Sequence, residues 1–151
     1  MAITKLVTDS LGAGVGGKVL QVVQGSTASQ VAHTTTYADT GLSASITPSS
    51  TSNKIFIIVN QHCYTQGNSG GAIKLLRDST DIYAPGQTFA FYNEIANSHP
   101  RNYHNFSKLD SPSSTSSITY KTQARLYSSN AFRTQDGNHF TSFITLMEVS
   151  A

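Results

Sequence analysis

Leu42-Ser-Ala-Ser-Ile-Thr47 is the stretch that decides the fold. Leu42, Ala44 and Ile46 fall on one side of an extended chain and Ser43, Ser45 and Thr47 on the other. This period of two is that of a half-buried strand. Pro48-Ser-Ser-Thr-Ser-Asn53 ends it as a polar turn. Directly after, Lys54-Ile-Phe-Ile-Ile-Val-Asn60 carries apolar side chains at five successive positions, Ile55 to Val59. The run is short and β-branched, which disfavours a helix and predicts a strand covered on both faces.

Upstream, residues 18–24 (KVLQVVQ) form a compact apolar strand, and His33-Thr-Thr-Thr-Tyr37 has high β propensity. Downstream, a glycine-rich loop at 66–71 leads into Ala72-Ile-Lys-Leu-Leu-Arg77. The Asp78-Ser-Thr80 turn then makes a hairpin with Asp81-Ile-Tyr83. Residues 87–92 alternate as a further strand, and 102–109, with Tyr103, Phe106 and Leu109, is a weaker candidate. The long segment 118–127 puts Ile118, Tyr120, Thr122, Ala124 and Leu126 on one face, and 141–149 is the final strand. Roughly eight to ten strands at this spacing, without a helical segment, predict an all-β fold: an antiparallel β-sandwich or jelly roll. One domain is expected, spanning 18–151. Residues 1–17 form a flexible, glycine-bearing N-terminal arm suited to docking.

Charged residues make up only 12% of the 151, about half the usual share. About a quarter are Ser or Thr. Such a surface is polar through hydroxyls and amides. It suits a β-rich protein on a particle, or subunits packed closely enough that lysines would be costly to desolvate. The net charge of +2 comes from scattered Lys and Arg without a run or a phosphate-binding loop, which argues against nucleic acid. Cys63 is a single cysteine, so no internal disulfide can form. No stretch is apolar enough for membrane insertion. The N-terminal residues, with Asp9 among them, do not read as a signal peptide.

No catalytic constellation emerges. The carboxylates Asp39, Asp78, Asp81, Asp110 and Asp136 sit in or beside predicted turns, where Asx side chains cap backbone groups. His62 and Cys63 are adjacent in sequence, and a strand sends neighbours to opposite faces. The five histidines show no metal-binding spacing, and no cofactor is expected. A three-fold site with one histidine per chain would leave no mark in the sequence; His33, His62 and His139 are the positions to test for it. For binding, the densest aromatic stretch holds Phe89, Phe91, Tyr92, Tyr103 and Phe106 with His99, Arg101 and His104 interspersed. It reads either as a core strand with its neighbour or as a contact surface. Two segments read as exposed loops: Gly67–Gly71 and the long polar stretch from Tyr127 to His139. The candidate receptor or partner contacts are Arg101, Tyr103, His104, Tyr127, Asn130, Phe132, Arg133, Asn138 and His139.

Several stretches occur together in this order: residues 18–24, 39–55 (with GLSASITPSSTSNK), Leu76-Arg-Asp-Ser-Thr80, Leu109-Asp-Ser-Pro112, Thr119-Tyr-Lys-Thr-Gln123 and 144–149. With them the chain resembles a domain of tail-fibre and other virion proteins of tailed phages infecting aquatic bacteria, cyanobacteria especially. The resemblance runs from Lys18 onward and is most specific in GLSASITPSSTSNK. It implies a non-enzymatic structural protein of the virion: a homotrimeric tail-fibre or receptor-binding module, held to other virion proteins by the arm and contacting a host surface glycan or protein. Because the chain has almost no shaft, a capsid decoration or cement (head fibre) protein is the alternative. A glycan-degrading tail enzyme is the third reading.

Overall fold

The computed structural model describes residues 17–86, 90–127 and 130–151. The expected arm, except Gly17, and Gln87–Phe89 of the expected strand at 87–92 lie outside them. The regular structure of the described chain is almost entirely strand: β1 (Val19–Thr27), β2 (Val31–Ala32), β3 (Ala38–Ile46), β4 (Lys54–Thr65), β5 (Ser69–Arg77), β6 (Thr80–Tyr83), β7 (Phe91–Asn93), β8 (Arg101–Asp110), β9 (Ile118–Leu126), β10 (Phe132–Thr134) and β11 (Ser142–Val149). The one helical element among the described residues is a 3-10 turn at Asp136–Asn138. No helix there is long and apolar enough to cross a membrane.

The pairing is nested. β1 pairs β11, β3 pairs β9, β4 pairs β8 and β5 pairs β6, all antiparallel. One long hairpin has thus been rolled up until its alternate strands lie in two sheets. The first sheet runs β8-β4-β11-β1, with β10 and β2 added beside β4; the second runs β3-β9-β5-β6, with β7 on β5. This is the β-sandwich expected, in the strand order of a jelly roll.

The core follows the period-two reading. Leu42, Ala44 and Ile46 are buried while Ser43 and Ser45 face water. Across the sandwich they meet Ile55, Ile57, Val59, Ile144 and Leu146, with Ile118, Tyr120 and Leu75 closing the cluster. At one end the space between the sheets is polar. The Gln61 amide donates to Ser142 Oγ (2.9 Å) and accepts from the Thr122 hydroxyl (2.9 Å), which also meets Thr40 Oγ1 (2.6 Å). Paired in this way, buried polar groups cost little and fix the register of the two sheets. Glu148 is fully enclosed and accepts from Gln21 Nε2, Asn53 Nδ2, and the amide and hydroxyl of Ser49. It ties the 48–53 turn to the last strand.

Several expectations need correction. His33–Tyr37 is not a strand; β2 stops at Ala32 and β3 begins at Ala38. The glycine-rich segment is not a loop beyond Asn68, because β5 starts at Ser69 with Gly70 and Gly71 buried. A side chain at Gly71 would sit 2.6 Å from the Phe132 ring, so glycine is what lets that ring pack on the strand. The segment expected as an exposed loop from Tyr127 to His139 contains, among its described residues, the strand β10. β4 is twelve residues long and β11 pairs only its first seven. The backbone groups of Cys63 to Thr65 need partners, and β10 supplies them. Phe132, Thr134, Gln135 and Asp136 are buried in consequence.

Candidate interaction face

The largest departure from the sequence reading lies on β4. Ile55, Ile57 and Val59 point into the core, but Phe56 and Ile58 lie on the outer side and stay half-exposed. Among the described residues, one face of this strand is covered and the other is not. The register extends this outer face strand by strand. Val22 lies opposite Met147, Met147 opposite Phe56, and Phe56 opposite Leu109; Val19 lies opposite Val149. Val19, Val22 and Leu109 are 56%, 57% and 49% exposed, and Leu20, in a bulge of β1, is also exposed. The result is an apolar field at one end of the β8-β4-β11-β1 sheet. Lys54, opposite Val149, stands at its margin.

The outer face of the other sheet is built differently. Lys121 pairs with Asp39 (2.9 Å) and Lys74 with Asp81 (2.9 Å), and Lys74 and Arg125 both lie over the Tyr37 ring. Gln123 also binds Asp39. These groups are at home in water. One sheet is therefore finished toward solvent by ions, and the other presents hydrocarbon.

Toward the far end of the first sheet the apolar field gives way to polar and aromatic groups. Phe143, Asn60 and Asn105 form one cross-strand row on β11, β4 and β8. With Gln24 and Tyr103 they line an open cleft of about 580 Å³. One pleat further, His62 lies opposite Tyr103 and is stacked under Phe140 (4.0 Å between ring centres). A final row runs Arg133, Tyr64, Arg101 across β10, β4 and β8. Both guanidinium groups lie over the Tyr64 ring, at 5.2 and 5.1 Å, and both bind Asp136.

The nine candidate contacts separate accordingly. Arg101, Tyr103 and Arg133 come together on this face although 32 residues separate the two arginines. His104 points inward from β8 beside a second cavity of about 170 Å³ lined also by Cys63, Thr65, Phe91, Asn102 and Tyr103. Burial keeps its imidazole below the usual histidine range. Tyr127 is exposed and lies edge-on to Tyr92 at the β5–β7 end. Asn130 is spent on the Gly67 carbonyl, and Asn138 accepts from the Gln30 amide at 2.7 Å. His139 is exposed beyond the 3-10 turn. Phe132 is 1% exposed and packs on Phe91 and His33, so it cannot touch a partner. The aromatic stretch thus splits: Phe91, His104 and Phe106 turn inward, while Arg101 and Tyr103 turn outward.

Residues that sequence reasoning missed are Phe56 and Ile58, read there as part of a strand covered on both faces, and Met147 and Val149, read only as part of the final strand. A strand with five apolar positions in a row reports two covered faces, and only pairing reveals that the described residues cover one of them. Comparison with models of known protein families and with curated proteins finds no match.

Nothing in the site resembles a reacting pair. Cys63 packs with Ile73, Ala124 and Phe132, and burial pushes its thiol far above the normal range. His62 faces the other way, against Phe140 and Tyr103. Among the described residues no group of three or more His, Cys, Asp or Glu is placed to hold a metal ion.

Proposed function

We propose that this protein is a homotrimeric, non-enzymatic surface module of a phage virion, assembled through the apolar field on the β8-β4-β11-β1 sheet and working in attachment to the host. The observation that carries the reading is that Phe56, Met147, Val149, Val19, Val22 and Leu109 share one outward face. The field crosses four strands, about 19 Å, and takes in the rows of Val149 and Met147 with Ile58 one pleat further, about 14 Å, or roughly 260 Å² of sheet. A second copy is the occupant best suited to it. Apart from Lys54 at its margin the field carries no charge, and burying it in an oligomer removes hydrocarbon from water while the ionic face of the other sheet stays outside. The low overall charge and the resemblance to virion domains point the same way.

Multi-angle light scattering tests the assembly. The expected mass is three times the 16.2 kDa chain, and Met147→Glu is expected to give a folded monomer. A wild-type monomer at micromolar concentration overturns the trimer. Purified protein that fails to compete with virions for host cells overturns the attachment role, and a loss of capsid heat resistance on its removal favours the cement reading instead.

A further inference from the structure

The polar end of the same face has the makings of a ligand site. Tyr103 and Phe143 are 47% and 37% exposed, and both flank the 580 Å³ cleft. The Tyr103 ring is held in place, its hydroxyl donating to the Thr141 carbonyl (3.1 Å) and its edge set against His62. Fixed, exposed aromatic rings offer apolar faces at little entropic cost. Between them Asn60 Nδ2 donates to Asn105 Oδ1 (3.0 Å), which orients both amides and leaves Asn60 Oδ1 and the Asn105 NH2 open. Gln24 donates to Thr145 Oγ1 (3.0 Å) and keeps its carbonyl oxygen. Rings flanked by oriented amides suit the apolar faces and hydroxyls of a pyranose.

Two residues along β8 from Tyr103, about 7 Å, stands Arg101. Its Nε and Nη2 both donate to Asp136 Oδ2 at 2.8 Å. Arg133 gives only Nη1 to the other oxygen, at 3.2 Å. Asp136 is 6% exposed, whereas the two arginine side chains are 46% and 40% exposed. Two cations share one buried carboxylate, which leaves a net positive charge at the surface. The Arg133 Nε and Nη2 donors make no bond to the described residues and form a fork suited to a carboxylate.

We propose that this end of the sheet binds an acidic saccharide, with a sugar ring on Tyr103 and Phe143, its hydroxyls on Asn60, Asn105 and Gln24, and the carboxylate of the adjoining unit on Arg133 beside Arg101. The inference rests on the attachment half of the proposed function and deepens it by naming the ligand class. The apolar field lies at the other end of the same strands, so assembly through it leaves the row of arginines at the outer end.

Titration calorimetry on the full chain tests it, with oligosaccharides of galacturonate, glucuronate and sialate as probes and glucose and mannose oligomers as neutral counterparts. At least one acidic probe is expected to bind, more weakly in high salt. Arg133→Ala and Tyr103→Ala are each expected to weaken it by about tenfold or more. Arg133→Lys, which keeps charge but loses the fork, should fall between. Ser43→Ala, on the opposite sheet, should bind as wild type. Absence of binding by every acidic probe overturns the proposal, as does equal binding of neutral sugars or undiminished binding by both variants. Light scattering on the same samples reads the oligomer separately, so loss of the trimer and loss of the saccharide site are told apart.

Discussion

At the scale of single residues, burial and pairing decide how the protein meets acid. Burial holds the His33 imidazole down to about 4, against a small opposing effect of the Ala124 backbone. Burial also lowers His62 and His104. In the unfolded chain these rings take up protons near pH 6.5 while the folded chain resists. Stability is therefore expected to be full above that pH and to fall as pH drops toward 4. Glu148 acts in the next window. Burial by itself would raise its carboxyl, but hydrogen bonds from Asn53, Gln21 and Ser49 outweigh it and hold it at about 2. Its contribution is present above the unfolded value near 4.5 and is lost as pH falls toward 2. Urea midpoints measured from pH 7 downward are expected to decline in these two stages, and Glu148→Gln should shrink the lower one, to which Asp39, despite partial burial also held low by Lys121 and Gln123, contributes as well. A midpoint that is flat from pH 7 to 4 would show that the histidines are protonated without cost.

At the scale of elements, β11 and β10 carry consequences that pull in different directions. β11 lies between β1 and β4, with Leu146 fully buried beneath it and Met147 on the outer face. Leu146→Ala is expected to cost about 2–5 kcal/mol in chain stability. Met147→Glu, one residue on, should leave the fold nearly intact and act on assembly. Ser43→Ala, on the polar side of β3, should stay within about half a kcal/mol of neutral. Chemical denaturation of the three variants checks the ranking, and a severe loss from Ser43→Ala would show the register to be wrong. Phe132 in β10 fills the space above Gly71, so Phe132→Ala is expected to cost about 3–5 kcal/mol. Replacing 127–139 by a tight turn should consequently unfold the protein, because it removes β10 from the edge of β4 along with that ring.

For the whole molecule, the outer faces of the two sheets differ in chemistry, and the proposed trimer follows from that difference. One outer face carries ion pairs and the other exposed hydrocarbon, and it is the second that the proposed trimer would bury. Oligomer dissociation, followed by light scattering on dilution, is expected to coincide with increased binding of a hydrophobic dye. Dissociation without that signal would mean that copies meet through some other surface. Melting temperature should rise with protein concentration, as it does when folding and assembly are linked.

What the sequence determined by itself was the class of fold and much of the core. Leu42, Ala44 and Ile46 alternate with serines, and the 118–126 face alternates likewise, because a pleated strand with one wet side admits no other pattern. The end of β11 and the 78–80 hairpin were legible for the same local reasons. The tertiary structure alone decided which apolar residues are core and which are surface. Phe56 and Ile57 are chemically equivalent as neighbours in a strand, and only the presence of a second sheet on one side separates them. It also decided that 132–136 is structural, since the need for β10 arises from the unpaired end of β4, far away in sequence. The gathering of Arg101 and Arg133 around Asp136 and Tyr64 belongs to the same class. Cross-strand rows are set by register, and register is a property of the folded sheet that spacing along the chain does not record.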